Sequence, residues 1–371
     1  MKVGIPREVK NHEYRVAITP SGVHELVRNG HEVYVETDAG VGSSITNEDY
    51  VKAGATILPT ADDVWGTGDL ILKVKEPVAS EYHRMREGQT LFTYLHLAAD
   101  KALTEELVAR KVTGIAYETV ELADRSLPLL APMSEVAGRM AVQAGAYYLE
   151  KAHGGKGILL GGVPGVEPAK VVVLGGGVVG THAITVALGM EADVWVIDRN
   201  VEALRRLWAQ FGPALNTVFS TRDAIERHVE IADLVIGGVL IPGASAPKLV
   251  THDMIRKMGA GSVVVDVAID QGGCFETSKP TTHAEPVYTV DGVTHYCVAN
   301  MPGGVPRTST YALNNATLPF VLALADKGWK KALADDVHLR NGLNVALGKV
   351  TCRPVADVQG YPYVEATQVI A

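Results

Sequence analysis

Apolar positions along this chain fall into short unbroken runs separated by longer amphipathic segments. The clearest instance is AKVVVLGGGVVGTHAITVALGMEADVWVIDRN, from Ala169 to Asn200. Val171–Leu174 is apolar at every position, as a parallel strand covered on both faces requires. A glycine-rich turn, an apolar segment of helical length and a second run, Val194–Ile197, follow it. The alternation continues, predicting helix over 201–211, strand over 216–219, helix over 221–230 and strand over 232–239. Helix over 249–258 and strands over 262–268 and 293–299 complete a set of six strands.

The first half of the chain shows the same rhythm. A strand over 3–5 ends at Pro6, and Thr19-Pro20 reads as cap and first residue of a helix that runs to about Asn29 and stops at Gly30. Strand over 31–36, a short helix over 46–53, and a strand over 69–75 closed by Pro77 follow. LFTYLHL, 91–97, reads as strand with His96 near its C-terminal end; helix over 101–111 and strand over 114–118 come next. PLLAPMSEVAG, 128–138, introduces a long helix running to about Lys151, with Ser134 as candidate N-cap and Glu135 in its first turn. The Gly/Pro-rich stretch 154–168 reads as loop. A second long helix starts near Ser309 and is expected to cross back to the first domain, and a short hairpin is expected over 342–350.

Length and composition narrow the class. At 371 residues the chain exceeds one comfortable core, so two domains are expected. A net charge of −8 argues against a nucleic-acid surface, which needs concentrated positive charge. The three cysteines, Cys274, Cys297 and Cys352, form no CxxC pair and suit a reducing compartment. MKVGIPREVK has no apolar core of a secretory signal, and no apolar stretch reaches membrane-spanning length, so a cytoplasmic location without membrane contact is expected. No H-E-x-x-H or cysteine cluster gives metal spacing, so no metal is expected. Trp65, Trp195, Trp208 and Trp329 are most economically packing residues.

The candidate chemistry begins at Gly175-x-Gly177-x-x-Gly180. Such a turn between strand and helix lets the chain reverse, lets backbone approach a pyrophosphate and lets the helix pack on the strand. The helix N-terminus then offers unpaired N–H groups to phosphate. Asp198 closes the second strand about twenty residues on, where a carboxylate accepts ribose hydroxyls and repels a 2′-phosphate; NAD is therefore expected over NADP. The fold class is accordingly α/β: two α/β domains, one a Rossmann dinucleotide-binding domain with a mostly parallel sheet, joined by long crossing helices around an interdomain cleft. The expected boundaries are 1–128 plus 308–371 for a substrate domain and 129–307 for the NAD-binding domain. Asp270 follows a buried strand at the crevice edge, as a site residue or a structural cap. Asp266 lies inside that strand and, if buried, must be hydrogen-bonded. His96 is either a proton carrier or a core histidine satisfied by backbone. Arg15 and Lys75 are surface charges or ligand-collecting cations beside strand ends.

The sequence closely resembles the bacterial alanine dehydrogenases over essentially its whole length. The segments that carry the resemblance are VGIPREVKNHEYRVAITP (3–20), LKVKEP (72–77), HLAAD (96–100), LLAPMSEVAGR (129–139), GGVPGVEPAKVVVLGGGVVG (161–180), DVAIDQGGCFE (266–276) and CVANMPGGVPRTSTYALNNAT (297–317). The resemblance implies reversible NAD-dependent oxidation of L-alanine to pyruvate and ammonia by a homo-oligomer, a hexamer. It implies Arg15 and Lys75 as substrate-binding cations, His96 as general acid/base and Asp270 as its catalytic partner. For the cofactor it implies Ser134, Gly175, Gly177, Val178, Val179, Gly180, Asp198, Ser220, Val239, Leu240, Val267, Ala268, Ile269, Asp270, Lys279, Val298, Ala299, Asn300 and Met301. Two departures are visible: Lys279 stands where the family often has arginine, and Ala203 where some relatives place one. The alternatives are the alpha subunit of a transhydrogenase, which shares the fold, and a non-catalytic NAD-binding regulator.

Overall fold

The computed structural model describes residues 1–239 and 246–371, which divide into two compact units: Met1–Met133 with Val305–Ala371, and Ser134–Gly304. In the first unit six strands, β1 (Lys2–Ile5), β2 (Glu32–Glu36), β3 (Thr56–Leu58), β4 (Leu70–Leu72), β5 (Thr90–Thr93) and β6 (Thr113–Ala116), lie parallel in the order β3-β2-β1-β4-β5-β6. Helices α1 (Pro20–Arg28), α2 (Asn47–Lys52), α3 (Ala61–Thr67) and α4 (Lys101–Ala109) connect them. Local chemistry sets the helix starts. The Thr19 hydroxyl accepts the Gly22 N–H at 3.4 Å ahead of Pro20, and Thr46 with Asp49 forms a reciprocal capping box. β3 and α3 are too short for periodicity to reveal, although Thr60, which accepts the Asp63 N–H at 3.2 Å, marks the helix start. LFTYLHL leaves the sheet at Thr93, so His96 follows the strand instead of ending it.

The second unit repeats the plan. β7 (Lys170–Leu174), β8 (Asp193–Asp198), β9 (Leu215–Phe219), β10 (Leu234–Gly237), β11 (Val263–Asp266), β12 (Val287–Val290) and β13 (Val293–Tyr296) form a seven-stranded sheet, order β12-β13-β11-β10-β7-β8-β9. Without β12 this is the order of the first sheet again, third-second-first-fourth-fifth-sixth. α5 (Ala131–Leu149), α6 (Val178–Gly189), α7 (Val201–Phe211), α8 (Arg222–Ile231) and α9 (His252–Lys257) complete the layers. Both faces of β7 are buried: Val171 and Val173 join one core, Val172 and Leu174 another.

Two expectations are corrected here. The six strands are seven, because β12 pairs antiparallel with β13 across Asp291-Gly292, a turn with φ of 48° and 80°. An Asp-Gly pair between alternating residues is a hairpin signal, and PVYTVDGVTHY contains it. Ser134 is not an N-cap: α5 begins at Ala131 with Pro132 in its first turn, where a missing N–H does no harm. The boundary between the two units, Met133 to Ser134, falls within this helix.

α10 (Pro306–Asp335) begins three residues before Ser309, with Pro306 as its first residue, and belongs to the first unit; Gly328, φ 72°, interrupts it. The expected hairpin is β14 (Leu343–Ala346) with β15 (Lys349–Val350); β14 pairs antiparallel with β6 and so widens the first sheet to eight strands. Trp65 is buried, but Trp208 is 58% exposed on α7 and does not pack in a core. Among the described residues, no helix is long and apolar enough to cross a membrane.

Candidate active site

In an open parallel sheet the chain leaves every strand at one edge, and ligands collect where successive connections run in opposite directions. In the first unit that point lies between β1 and β4. The segments leaving them, 6–15 and 73–81, meet in a buried charge network. Lys73, fully buried, pairs with Glu8 at 3.2 Å and Glu81 at 3.0 Å, and Glu8 also accepts the Val74 N–H at 2.6 Å. Burial pushes the Glu8 carboxyl up despite the opposing ammonium. Burial would depress Lys73, but its two carboxylates outweigh that and hold it above the ordinary lysine value.

Arg15, 2% exposed, belongs to the same edge. Its Nε and Nη2 donate to the two oxygens of Glu13, both at 2.6 Å, and Nη1 donates to the Met133 sulfur at 3.0 Å. The guanidinium therefore presents its Nε–Nη2 edge to Glu13. Burial alone would lower the Arg15 pKa; the Glu13 fork more than offsets it. Lys75 lies half-buried beyond β4, and next to it Glu76 pairs with Lys10.

His96 occupies the turn after β5 in a left-handed conformation, φ 51° and ψ 34°. It is exposed, not a core histidine; its ring stacks on Tyr94 at 5.9 Å with an 11° interplanar angle. Tyr94 is buried and fixed by its hydroxyl, which donates to the Leu129 carbonyl at 2.6 Å. Arg15, Lys75 and His96 thus follow three neighbouring strands at one edge of one sheet.

In the second unit the cofactor candidates gather in the same way. Gly175 turns at φ 98°, and the Gly176 N–H donates to Asp198 Oδ2 at 2.6 Å. The other oxygen, Oδ1, accepts the Asn200 N–H at 2.7 Å, so this carboxylate is fixed from both sides at the end of β8. A Cβ on Gly180 would stand 1.8 Å from the Gly175 carbonyl, whereas one on Gly177 would meet nothing within 4 Å. Gly180 therefore serves packing, and Gly177 leaves an open cradle at the start of α6, as a dinucleotide pyrophosphate requires. Val178 and Val179 open α6, and Val239 borders Gly175. Ser220 follows β9, Val267–Asp270 follow β11, and Val298–Met301 follow β13, all at the edge where those strands end. Ser134 lies on α5, whose Gly138 packs against Val179, and Lys279 lies over the Tyr288 ring at 4.4 Å. Leu240 lies outside the described residues.

Asp270 is exposed in a short turn, Ile269–Gln271. Its loop is folded around Asp266, which is fully buried. Asp266 accepts the N–H groups of Ala268 (3.1 Å), Cys274 (2.8 Å) and Phe275 (3.4 Å) and the Ser278 hydroxyl (2.5 Å). Burial raises its pKa in spite of these donors, and the nearby thiol of Cys274 is pushed up to about 12, chiefly by burial. The requirement that a buried Asp266 be hydrogen-bonded is met. Spacing gave no signal for Glu13, Glu81, Glu118 or Arg206, the last of which donates to the Gly176 carbonyl at 2.7 Å.

Comparison with known proteins supplies the remaining context. Residues 4–137 match the family model for the N-terminal domain of alanine dehydrogenase/PNT, and residues 141–353 match that for its C-terminal domain. An alanine dehydrogenase of Halomonas elongata is 61% identical over 370 residues, covering 100% of both chains. A solved L-alanine dehydrogenase structure superposes with a TM-score of 0.94 at 53% identity, over 96% of this chain and 99% of that one. A transhydrogenase from Sinorhizobium meliloti superposes at 0.84 with 28% identity, over 94% and 100%.

Proposed function

The chain belongs to the alanine dehydrogenase/PNT family, and from that premise we propose that it catalyses the reversible reaction L-alanine + NAD+ + H2O = pyruvate + NH4+ + NADH + H+. The observation that carries this reading is that each sheet places candidate groups at a single edge: cations and His96 in one unit, the Gly177 cradle with Asp198 and Asp270 in the other.

NAD supplies the hydride acceptor for the alanine Cα–H. Asp198, already anchored by two backbone N–H groups, accepts ribose hydroxyl and disfavours a 2′-phosphate, which makes NAD the cofactor in preference to NADP. Arg15 binds the substrate carboxylate through its guanidinium. After hydride loss the substrate is an iminium ion. His96 takes a proton from water as its oxygen adds to that carbon, returns that proton to nitrogen, and then takes the remaining hydroxyl proton as the carbon–nitrogen bond breaks, so that the keto group forms and ammonia departs. Lys75 stabilises negative charge developing on the substrate oxygen, and Asp270 acts with His96 as its partner. Ser134, Ser220, Val239, Lys279 and the segments 267–270 and 298–301 complete the cofactor lining. The protein acts as a cytoplasmic homo-oligomer, a hexamer, which sedimentation would test.

The assay is NADH absorbance with L-alanine and NAD, and in reverse with pyruvate, ammonium and NADH. Turnover in both directions is expected, and its absence with both substrate sets overturns the reading. His96→Ala is expected to lower kcat by a factor of about 10²–10⁴. Hydride exchange between two nucleotides without any amino acid would favour the transhydrogenase instead.

A further inference from the structure

His96 stands in a backbone conformation that residues with a Cβ seldom adopt, so something must hold it there. The group that does so is Glu118, in the turn after β6, the neighbouring strand. Glu118 Oε1 accepts the His96 N–H at 2.6 Å, and both carboxylate oxygens accept the Leu95 N–H at 3.2 Å. We propose that Glu118 is a positioning residue for His96: its carboxylate fixes the left-handed turn that carries the imidazole against Tyr94. The proposal rests on the reading of His96 as the proton carrier.

The geometry explains why a carboxylate is used. Two consecutive N–H groups point the same way only where the chain turns, and they need an acceptor that two donors can share. A charged acceptor binds them more strongly than a neutral one. Among the described residues, no hydrogen bond orients the imidazole ring itself. Its placement therefore depends on the backbone turn beneath it and on the Tyr94 face beside it. Losing the acceptor frees the turn to relax toward right-handed φ, which carries the ring off Tyr94 and away from the strand edge. The second candidate catalytic group shows the same construction, since Asp266 gathers backbone N–H groups around the loop bearing Asp270.

The test is a double-mutant cycle between Glu118 and His96, with alanine turnover and NADH affinity measured on each protein. Glu118→Ala is expected to lower kcat by about 10²-fold, the usual penalty for a misplaced catalytic group, with NADH affinity retained. Glu118→Gln keeps one shared acceptor oxygen and is expected to restore most of that loss. In a His96→Ala background, Glu118→Ala is expected to lower kcat further by less than about twofold. An equal loss in both backgrounds, or wild-type kcat in Glu118→Ala, overturns the proposal. A His96→Ala protein with full turnover overturns the reading of His96 instead, and the proposal with it. Should Glu118→Ala fail to fold, Glu118→Asp takes its place: the shorter carboxylate retracts from the His96 N–H, and a wild-type kcat would contradict the proposal.

Discussion

Replacing Lys73 with alanine would leave Glu8 and Glu81 buried at the head of β4 without the ammonium that lies 3.2 and 3.0 Å from them. Removing one partner of a buried ion pair typically destabilises by about 3–5 kcal/mol, so a clear fall in the urea midpoint is expected. Glu8 makes a prediction of opposite character. Its carboxyl is raised above the ordinary 4.5, so the folded chain holds this proton more tightly than the unfolded chain does. Its contribution to stability is full below that ordinary value and is lost as pH rises through the raised one. The stability of the wild type relative to Glu8→Gln should therefore decline as pH climbs from 4.5, measured by denaturant titration across pH; a rising difference would contradict the network. Little of this was legible in the sequence. Lys73 and Lys75 stand two residues apart in LKVKEP, and spacing alone does not tell the buried structural cation from the half-buried one. Resemblance singles out Lys75; only packing reveals what Lys73 does. Glu13 was hidden likewise in a charge-dense segment whose partners are set by the tertiary fold.

At the scale of elements, the β7–α6 turn separates two uses of glycine that a motif treats alike. Gly180→Ala would drive a methyl to 1.8 Å from the Gly175 carbonyl, an overpacking of about 1–3 kcal/mol or more, and should lower the melting temperature and NADH affinity together. Gly177→Ala meets no protein atom within 4 Å; it should melt close to the wild type yet weaken NADH about tenfold or more, because the pyrophosphate needs that space. If Gly177→Ala bound NADH normally, the cradle would be misplaced. Elements of this kind were legible because long apolar runs and glycine turns carry their own signal. α7 spans the predicted 201–211 in full, and the 342–350 hairpin is present. What escaped was short or imposed from outside. β3 is three residues at a sheet edge, β12 is an added edge strand, and the turn after β5 receives the carboxylate of Glu118, whose approach no local pattern records.

Across the whole molecule, two sheets with the same parallel strand order carry different chemistry at corresponding edges. The first gathers buried cations paired with acids, and the second gathers glycines, one anchored aspartate and a loop folded around another. Length alone pointed to two domains, and the described residues form two compact units, Met1–Met133 with Val305–Ala371 and Ser134–Gly304. The substrate half could not be derived from periodicity, since Arg15, Lys75 and His96 are far apart in sequence and come together only through strand order. On the proposed function labour is divided, with the oxidant held by the second unit and proton transfer supplied by the first. The most direct test is the NADH binding isotherm of His96→Ala. An affinity within about twofold of the wild type, a difference of only a few tenths of a kcal/mol, is expected in a protein whose alanine turnover has collapsed. An NADH affinity that falls in step with turnover would contradict it.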